Sequence, residues 1–456
     1  MKIIRNIILV ILVFLAVFLS SKVWFEFPFF TEEKQDDNYI VNYSDIDIWK
    51  IVRPSKYLLS DKEKKAYINI ENEDVVWNMI LDELTNVFIN FTTTNHSLLV
   101  GEVYPDKYLI CEFEKKISSD IFFQGLGIDK NNIKTRLTYI SKIAIDIENP
   151  GDIYIFNGDS TVVMKNTMFS GSQVLSKIKE ISRLSESVVD KCQVNGENYQ
   201  IPHVKTSLAL NPVFVKAEFN VNDVAYIDNI AKNFFRNDYD YVRRSMEQNG
   251  NVNFVYKNEK VLKITSEGLF DFFDAKFSIK NEKNIYESLK IAISFSNDFI
   301  NLPDNFYLLS SESIQKDGVQ GYKFTFTYDI YDKTVLFSRV RNNSPLEIEV
   351  VDGKVISYKR LLRDIDKSMI EFAEDVNILN LDEVLSKNVK LEDETDDLSL
   401  KILDKDMLKS IDSAYLAYFD RAQKINRQQL IVVWVVEIGE NTYIFNAITG
   451  SLLEQW

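Results

Sequence analysis

From Ile7 to Leu19 the chain carries no polar side chain, and no later stretch repeats so long an apolar run. Extended through Val23, Trp24 and Phe25 it is a helix of about 28 Å at ~1.5 Å per residue, close to the ~30 Å hydrocarbon core of a bilayer. Beyond it the hydrophobic positions become periodic. "DVVWNMILDELTNVF" sets Val76, Met79, Ile80, Leu84, Val87 and Phe88 on one helical face, with Asp74 as a cap. "GSQVLSKIKEISRLSESVV" does the same for Val174, Ile178, Ile181, Leu184 and Val188. "DVAYIDNIAKNFFRN" and "NIYESLKIAISFSNDFI" predict two more helices, and a last one is expected around "MLKSIDSAYLAYFD".

Strand patterns fill the intervals. "NYSDIDIWKIVRPSKYLL" alternates in its middle, and "KYLICEFE" and "DIYIFNG" are short strands. "NVNFVYKNEKVLKITS" turns at Asn258 as a hairpin does. "GYKFTFTYDIYDKTVLFSR" and "PLEIEVVDGKVISYKRLL" form a long strand series. "LIVVWVVEIG" is too short to span a membrane and predicts a buried strand. In the middle and last units a helix precedes an aromatic strand pair closing on a Gly turn, Asp352-Gly353 or Thr449-Gly450. The expected fold is α+β: a single transmembrane helix followed by about three extracytoplasmic α+β domains with antiparallel sheets, the last two of related build. The boundaries expected are a cytoplasmic tip 1–6, an anchor 7–25, an N-terminal domain 31–202, a middle domain 203–362 and a C-terminal domain 363–456.

Charge sets the orientation. Residues 1–22 hold Lys2, Arg5 and Lys22 and no acid, so the positive-inside rule leaves the tip in the cytoplasm and exports the rest. Lys22, Trp24, Phe25 and Phe27 then sit at the outer membrane interface. A cleaved signal peptide is the alternative, but cutting after Ser21 or Ser20 leaves Leu19 or Phe18 at the −3 position. Ala16 and Ser20 are four apart, the small-residue spacing that lets another membrane helix approach closely; two lipid-facing residues without a partner are the alternative.

The exported part holds 50 basic and 68 acidic residues, a surface unsuited to nucleic acid and to anionic polymers without a local basic patch. Two cysteines, Cys111 and Cys192, are candidates for one bridge, with two separate thiols as the alternative. With 46% hydrophobic and 13% aromatic residues, the fold rests on its core rather than on disulfides.

Catalytic signatures are sparse. His96 and His203 form no ligand-spaced pair, and no H-x-x-x-H, C-x-x-C or G-x-S-x-G occurs, so neither a zinc site nor a serine triad is expected. "SIQK" (Ser313–Lys316) matches S-x-x-K without its K-T-G companion, and "FQGLGID" lacks the Lys-Ser/Thr of a phosphate loop. Asp364 with Asp366, or Asp271 with Asp274, are carboxylate pairs that solvated surface acids explain equally. Tyr322, Phe324, Phe326 and Tyr328 line either a ligand groove or the core. No cofactor or metal is expected, and no enzyme activity.

Several stretches jointly resemble one family. They are the cationic tip and apolar span closing on Trp24 and Pro28, "IWKIVRPSKYLL", and "FFRNDYDYVRRSMEQNGNVNFVYKNEKVLKITSEGLFDFF". To these add "LPDNFYLLSS", "GYKFTFTYDIYDKTVLFS", "LEIEVVDGKVISYKR" and "LIVVWVVEI…YIFNAITGSLL". The chain resembles the YycH family of membrane-anchored regulators of the WalK–WalR cell-wall two-component system, its later part being similar to YycI. The resemblance implies a non-enzymatic modulator whose partners are the membrane, a WalK-like sensor histidine kinase and a YycI-like protein.

Overall fold

Most of the hydrophobic alternation is satisfied by antiparallel ladders, and the ladders run into one another. The computed structural model describes residues 46–456, apart from 62–63, 68–72, 90–94, 129–136, 166, 175, 177–185, 205–208, 211, 277–282, 300, 304, 332, 342–343, 371–375, 391–401, 423–426 and 440. Tyr43–Trp456 is a single unit.

One sheet orders the strands Asn95–Val100, Ser160–Lys165, Ile153–Phe156, Tyr139–Asp146, Lys107–Ser118, Lys56–Asp61 and Lys64–Tyr67, all antiparallel. The helix Glu73–Ile89 covers it, burying Val76, Ile80, Leu84, Val87 and Phe88 as the periodicity predicts. Trp77 fixes that helix by donating its indole N–H to the Val52 carbonyl at 3.2 Å.

A second sheet runs from Arg243–Met246 through Val252–Tyr256, Lys260–Ile264, Phe270–Asp274, Lys354–Arg360, Leu346–Val351 and Val319–Ile330 to Phe306–Lys316. The predicted hairpin is there, with Lys257 and Asn258 both at positive φ, as a type I′ turn requires. The helices Val224–Phe235 and Ile285–Phe299 pack over this sheet, where Phe234 and Phe299 stack at 4.1 Å between centroids. Among them lies Arg360, fully buried. Its guanidinium donates to both Glu218 carboxylate oxygens, at 2.9 and 2.5 Å.

The third sheet contains Lys333–Phe337 parallel to Ser413–Asp420, followed antiparallel by Ile431–Ile438, Asn441–Asn446 and Leu452–Gln455. It is joined to the second sheet by the short turn after Val319–Ile330. The strand Glu197–Val204 bridges to it through His203 and Ala414, while Phe214–Ala217 pairs with both Arg363–Ile365 and Arg427–Gln429. Backbone pairing thus passes through residues 202–203 and links segments on both sides of 362–363. The three main sheets with Glu186–Val194 and Glu197–Val204 connect 22 strands, while Phe214–Ala217 and its two partners form a separate three-stranded sheet.

The expected fold class is corrected by this architecture. The described chain is mostly β with few helices, not a series of α+β domains. No helix among the described residues is long and apolar enough to cross a membrane, and the segment 7–25 lies outside those residues. One stretch expected as a helix is a strand. "SAYLAYFD" is the strand Ser413–Asp420, with Ala414, Leu416 and Tyr418 buried in one cluster and Ala417 and Phe419 in another. A strand buried on both faces loses its polar alternation, and its run of apolar residues then imitates a helix. Of the expected helix over 171–189, residues 172–174 are helical, 177–185 lie outside the described residues, and Val188 belongs to the strand Glu186–Val194. The helix left before the last strands is only Lys405–Lys409, so the expected kinship between the last two units is not kept.

Candidate functional site

Where the three sheets meet, they leave a cleft of about 620 Å³. Its walls come from strands far apart in sequence: Lys107–Ser118 of the first sheet, Phe306–Lys316 and Val319–Ile330 of the second, and Ser413–Asp420 and Ile431–Ile438 of the third. Irregular pairing aims the side chains. The ladder between Lys107–Ser118 and Tyr139–Asp146 breaks between Glu112 and Ile117, which frees Glu114 and Lys115 from strict alternation. A second irregularity, between Leu308 and Ser310, presents Leu309 and Ser310 to the same space. Breaks of this kind bend a strand and redirect its side chains.

At the inner end the Tyr415 hydroxyl lies 3.3 Å from Glu114 Oε1 and 3.3 Å from Glu437 Oε1. Ser413 Oγ donates to Glu437 Oε2 at 2.5 Å, and the Lys56 ammonium stands 3.5 Å over the Tyr415 ring. Burial and the two carboxylates hold the Tyr415 phenol well above its ordinary range. It is therefore a hydrogen-bond donor and not a base. Glu114 Oε2 is buried with no hydrogen-bond partner.

Beneath this end is a second polar group. Tyr307 lies 3.2 Å from Asp329 Oδ1 and 3.1 Å from Thr334 Oγ1, while Arg53 approaches Asp329 at 3.8 Å. Burial pushes the Asp329 carboxyl up to about 6, against the pull of Arg53. At the other end of the cleft Arg339 sits over the Trp456 ring, with its guanidinium carbon 4.3 Å from the ring centre. Glu454 fastens that corner by accepting from Ser338 Oγ, from Arg339 N at 3.1 Å and from Trp456 Nε1 at 2.9 Å. Four carboxylates (Glu114, Glu312, Glu347, Glu437) and four cations (Lys115, Lys323, Arg339, Lys359) line the cleft, a balance unlike the whole chain at −15. Of these, Lys323 and Glu347 pair at 3.0 Å. The arrangement offers charges and donors for recognition.

The residues singled out in the sequence lie elsewhere. Ala16, Ser20, Lys22, Trp24, Phe25 and Phe27 are outside the described residues. Cys111 and Cys192 are both buried and free, so the bridge open to them is not made. Cys192 instead donates its thiol to Asp382 at 3.3 Å. Phe324, Phe326 and Tyr328 are core, not groove. His203 is buried with Nδ1 2.8 Å from the Ile201 carbonyl oxygen. Asp274 is salt-bridged to Lys354 at 2.8 Å, and Asp366 accepts from Ser368 at 2.6 Å, so neither acid pair stands free for catalysis. No group of three or more His, Cys, Asp and Glu suited to a metal occurs among the described residues. Sequence reasoning missed the cleft because its residues come from widely separated segments. The one local sign is "EFEKK", a charged run inside an apolar strand.

No family model matches the chain, and no curated protein matches it. Among solved structures it is similar to an uncharacterized protein from Eubacterium rectale, with 19% identity over 58% of this chain and 92% of that one and a TM-score of 0.34. It is also similar to the Bacillus megaterium YpeB C-terminal domain, with 15% identity over 51% of this chain and 96% of that one and a TM-score of 0.28. Scores this low carry no argument about fold or function.

Proposed function

We propose that this chain is a non-enzymatic regulator of a cell-wall-sensing histidine kinase, held at the cell membrane by the apolar segment 7–25 with its β body outside. In the YycH-like reading it acts with a WalK-like kinase and a YycI-like protein. The observation that carries the proposal is the apolar run Ile7–Leu19, flanked by Lys2, Arg5 and Lys22 and followed by a large acidic body. A segment that packs against one signalling state of the kinase better by about 1.4 kcal/mol shifts its equilibrium about tenfold. The test is co-purification of the detergent-solubilised full chain from its own cells, with and without Ala16→Leu/Ser20→Leu. A histidine kinase recovered with the wild type and lost from the double variant supports the reading. Absence of any kinase overturns it.

A second reading has its own support in the cleft: a binding module for a wall polymer or secreted peptide, with the apolar segment as a tether only. Replacing residues 7–25 by an unrelated apolar segment separates the two. Signalling that survives the swap favours the tether.

A further inference from the structure

We propose that the cleft binds a short zwitterionic peptide, its carboxylate between Lys115 and Arg339 beside the Trp456 ring and its ammonium against Glu114 and Tyr415. This names a ligand for the body of the proposed regulator; it rests on that reading for the consequence of binding, while binding itself is independent of any kinase.

The cations come first. Neither Lys115 nor Arg339 has an ion-pair partner among the described residues. The acids around them are engaged: Glu454 with Ser338, the Arg339 backbone and Trp456, Glu347 with Lys323, and Glu437 with Ser413 and Tyr415. Glu312 is exposed, and it acts on Lys115 through its field alone. Partial burial of its ammonium and the charge of Arg339 hold Lys115 below its ordinary range, although the residue as a whole is exposed. Two exposed cations at one cleft, neither in an ion pair among the described residues, offer a carboxylate ligand two charged donors. Arg339 is also restrained by its cation–π contact with Trp456, 4.3 Å from guanidinium carbon to ring centre.

The inner end already has the Lys56 ammonium on the face of the Tyr415 ring, yet one carboxylate oxygen there still lacks a donor. Glu114 Oε1 faces the Tyr415 hydroxyl, but Oε2 is shielded from solvent and receives no hydrogen bond. A buried carboxylate oxygen without a donor is an unstable arrangement, and an ammonium supplies both donor and counter-charge. A plain anion such as phosphate would meet Glu114 and Glu312 as repulsion, and a plain cation would meet Lys115 and Arg339. Only a ligand carrying both charges satisfies the two ends. The volume, about 620 Å³, falls within the roughly 300–1,000 Å³ of pockets that hold compact organic ligands, room for a few peptide residues.

The experiment is isothermal titration of the detergent-solubilised full chain with the tripeptide Gly-Ala-Gly, with its N-acetylated and C-amidated forms, and with inorganic phosphate. The free tripeptide should bind saturably, and capping either terminus should weaken it by about tenfold or more. Glu114→Gln should remove the penalty for N-acetylation and keep the one for amidation; Arg339→Gln should do the reverse. Should Glu114→Gln fail to fold, Tyr415→Phe, which removes the hydroxyl facing Glu114, carries the N-acetylation arm with a circular dichroism check. Equal binding of free and capped peptides, phosphate binding as tight as the peptide, or no saturable heat with any probe overturns the proposal. None of these readouts involves the kinase, so failure here leaves the regulator reading standing, and loss of kinase co-purification leaves the cleft result intact.

Discussion

Asp329 shows what the meeting of the sheets does to a single side chain. Its carboxyl stands near 3.8 when solvated and about 6 in the folded protein. The folded state therefore binds the proton more tightly. The group favours folding at pH below about 4, and that contribution is lost as pH rises through about 6. Over this window the loss amounts to about 3 kcal/mol. Asp329→Asn should flatten the fall in stability between pH 4 and pH 7, measured by urea unfolding at both values. An unchanged slope would place the titration at another group. Arg360 is a different case, because its charge is fully buried and matched by Glu218. Glu218→Ala leaves that charge uncompensated and should cost about 3–5 kcal/mol, read as a lowered urea midpoint at unchanged m-value.

At the scale of elements, strand contacts set the limits. Gly321 lies where Val319–Ile330 passes Leu346–Val351, and a methyl group there would meet Val351 Cγ2 at 2.5 Å and the Val350 carbonyl oxygen at 2.6 Å. The second obstacle is backbone and cannot swing aside. Gly321→Ala should therefore cost about 1–3 kcal/mol, visible in thermal unfolding, and a neutral result would mean that the strands separate easily. The helix Val224–Phe235 begins at Asp223, whose carboxylate accepts from Tyr226 N at 3.0 Å. Loss of this cap in Asp223→Ala should cost about 1 kcal/mol. Helices with one wet face were legible from their spacing: Glu73–Ile89, Val224–Phe235 and Ile285–Phe299 all stand where 3.6-residue periodicity predicts them. Ser413–Asp420 was not, because burial on both faces erased the contrast that marks a strand.

For the whole molecule, the continuity of the ladders has a measurable consequence. Pairing through Glu197–Val204, and between Phe214–Ala217 and both Arg363–Ile365 and Arg427–Gln429, ties the three expected units together. Urea unfolding followed by tryptophan fluorescence and by far-UV circular dichroism should give superimposable transitions. Two separated transitions would show that the units fold independently. The cleft belongs to this scale too. Glu114, Arg339 and Tyr415 lie on different segments and share a wall only because Lys333–Phe337 leaves the second sheet and pairs in parallel with Ser413–Asp420.

The sequence by itself determined the features that depend on near neighbours: the apolar run at 7–19, the amphipathic helices, the hairpin at Asn258 and the buried strand around Trp434. Each rests on periodicity or turn chemistry within about twenty residues, a range over which side-chain spacing alone decides which face is wet. Tertiary structure decided the rest. It placed Phe324 and Phe326 in the core, left Cys111 and Cys192 unpaired, and brought four acids and four cations around one cleft. These outcomes depend on which strands pair across hundreds of residues. That choice belongs to packing and hydrogen bonding of the whole body, and no local pattern encodes it.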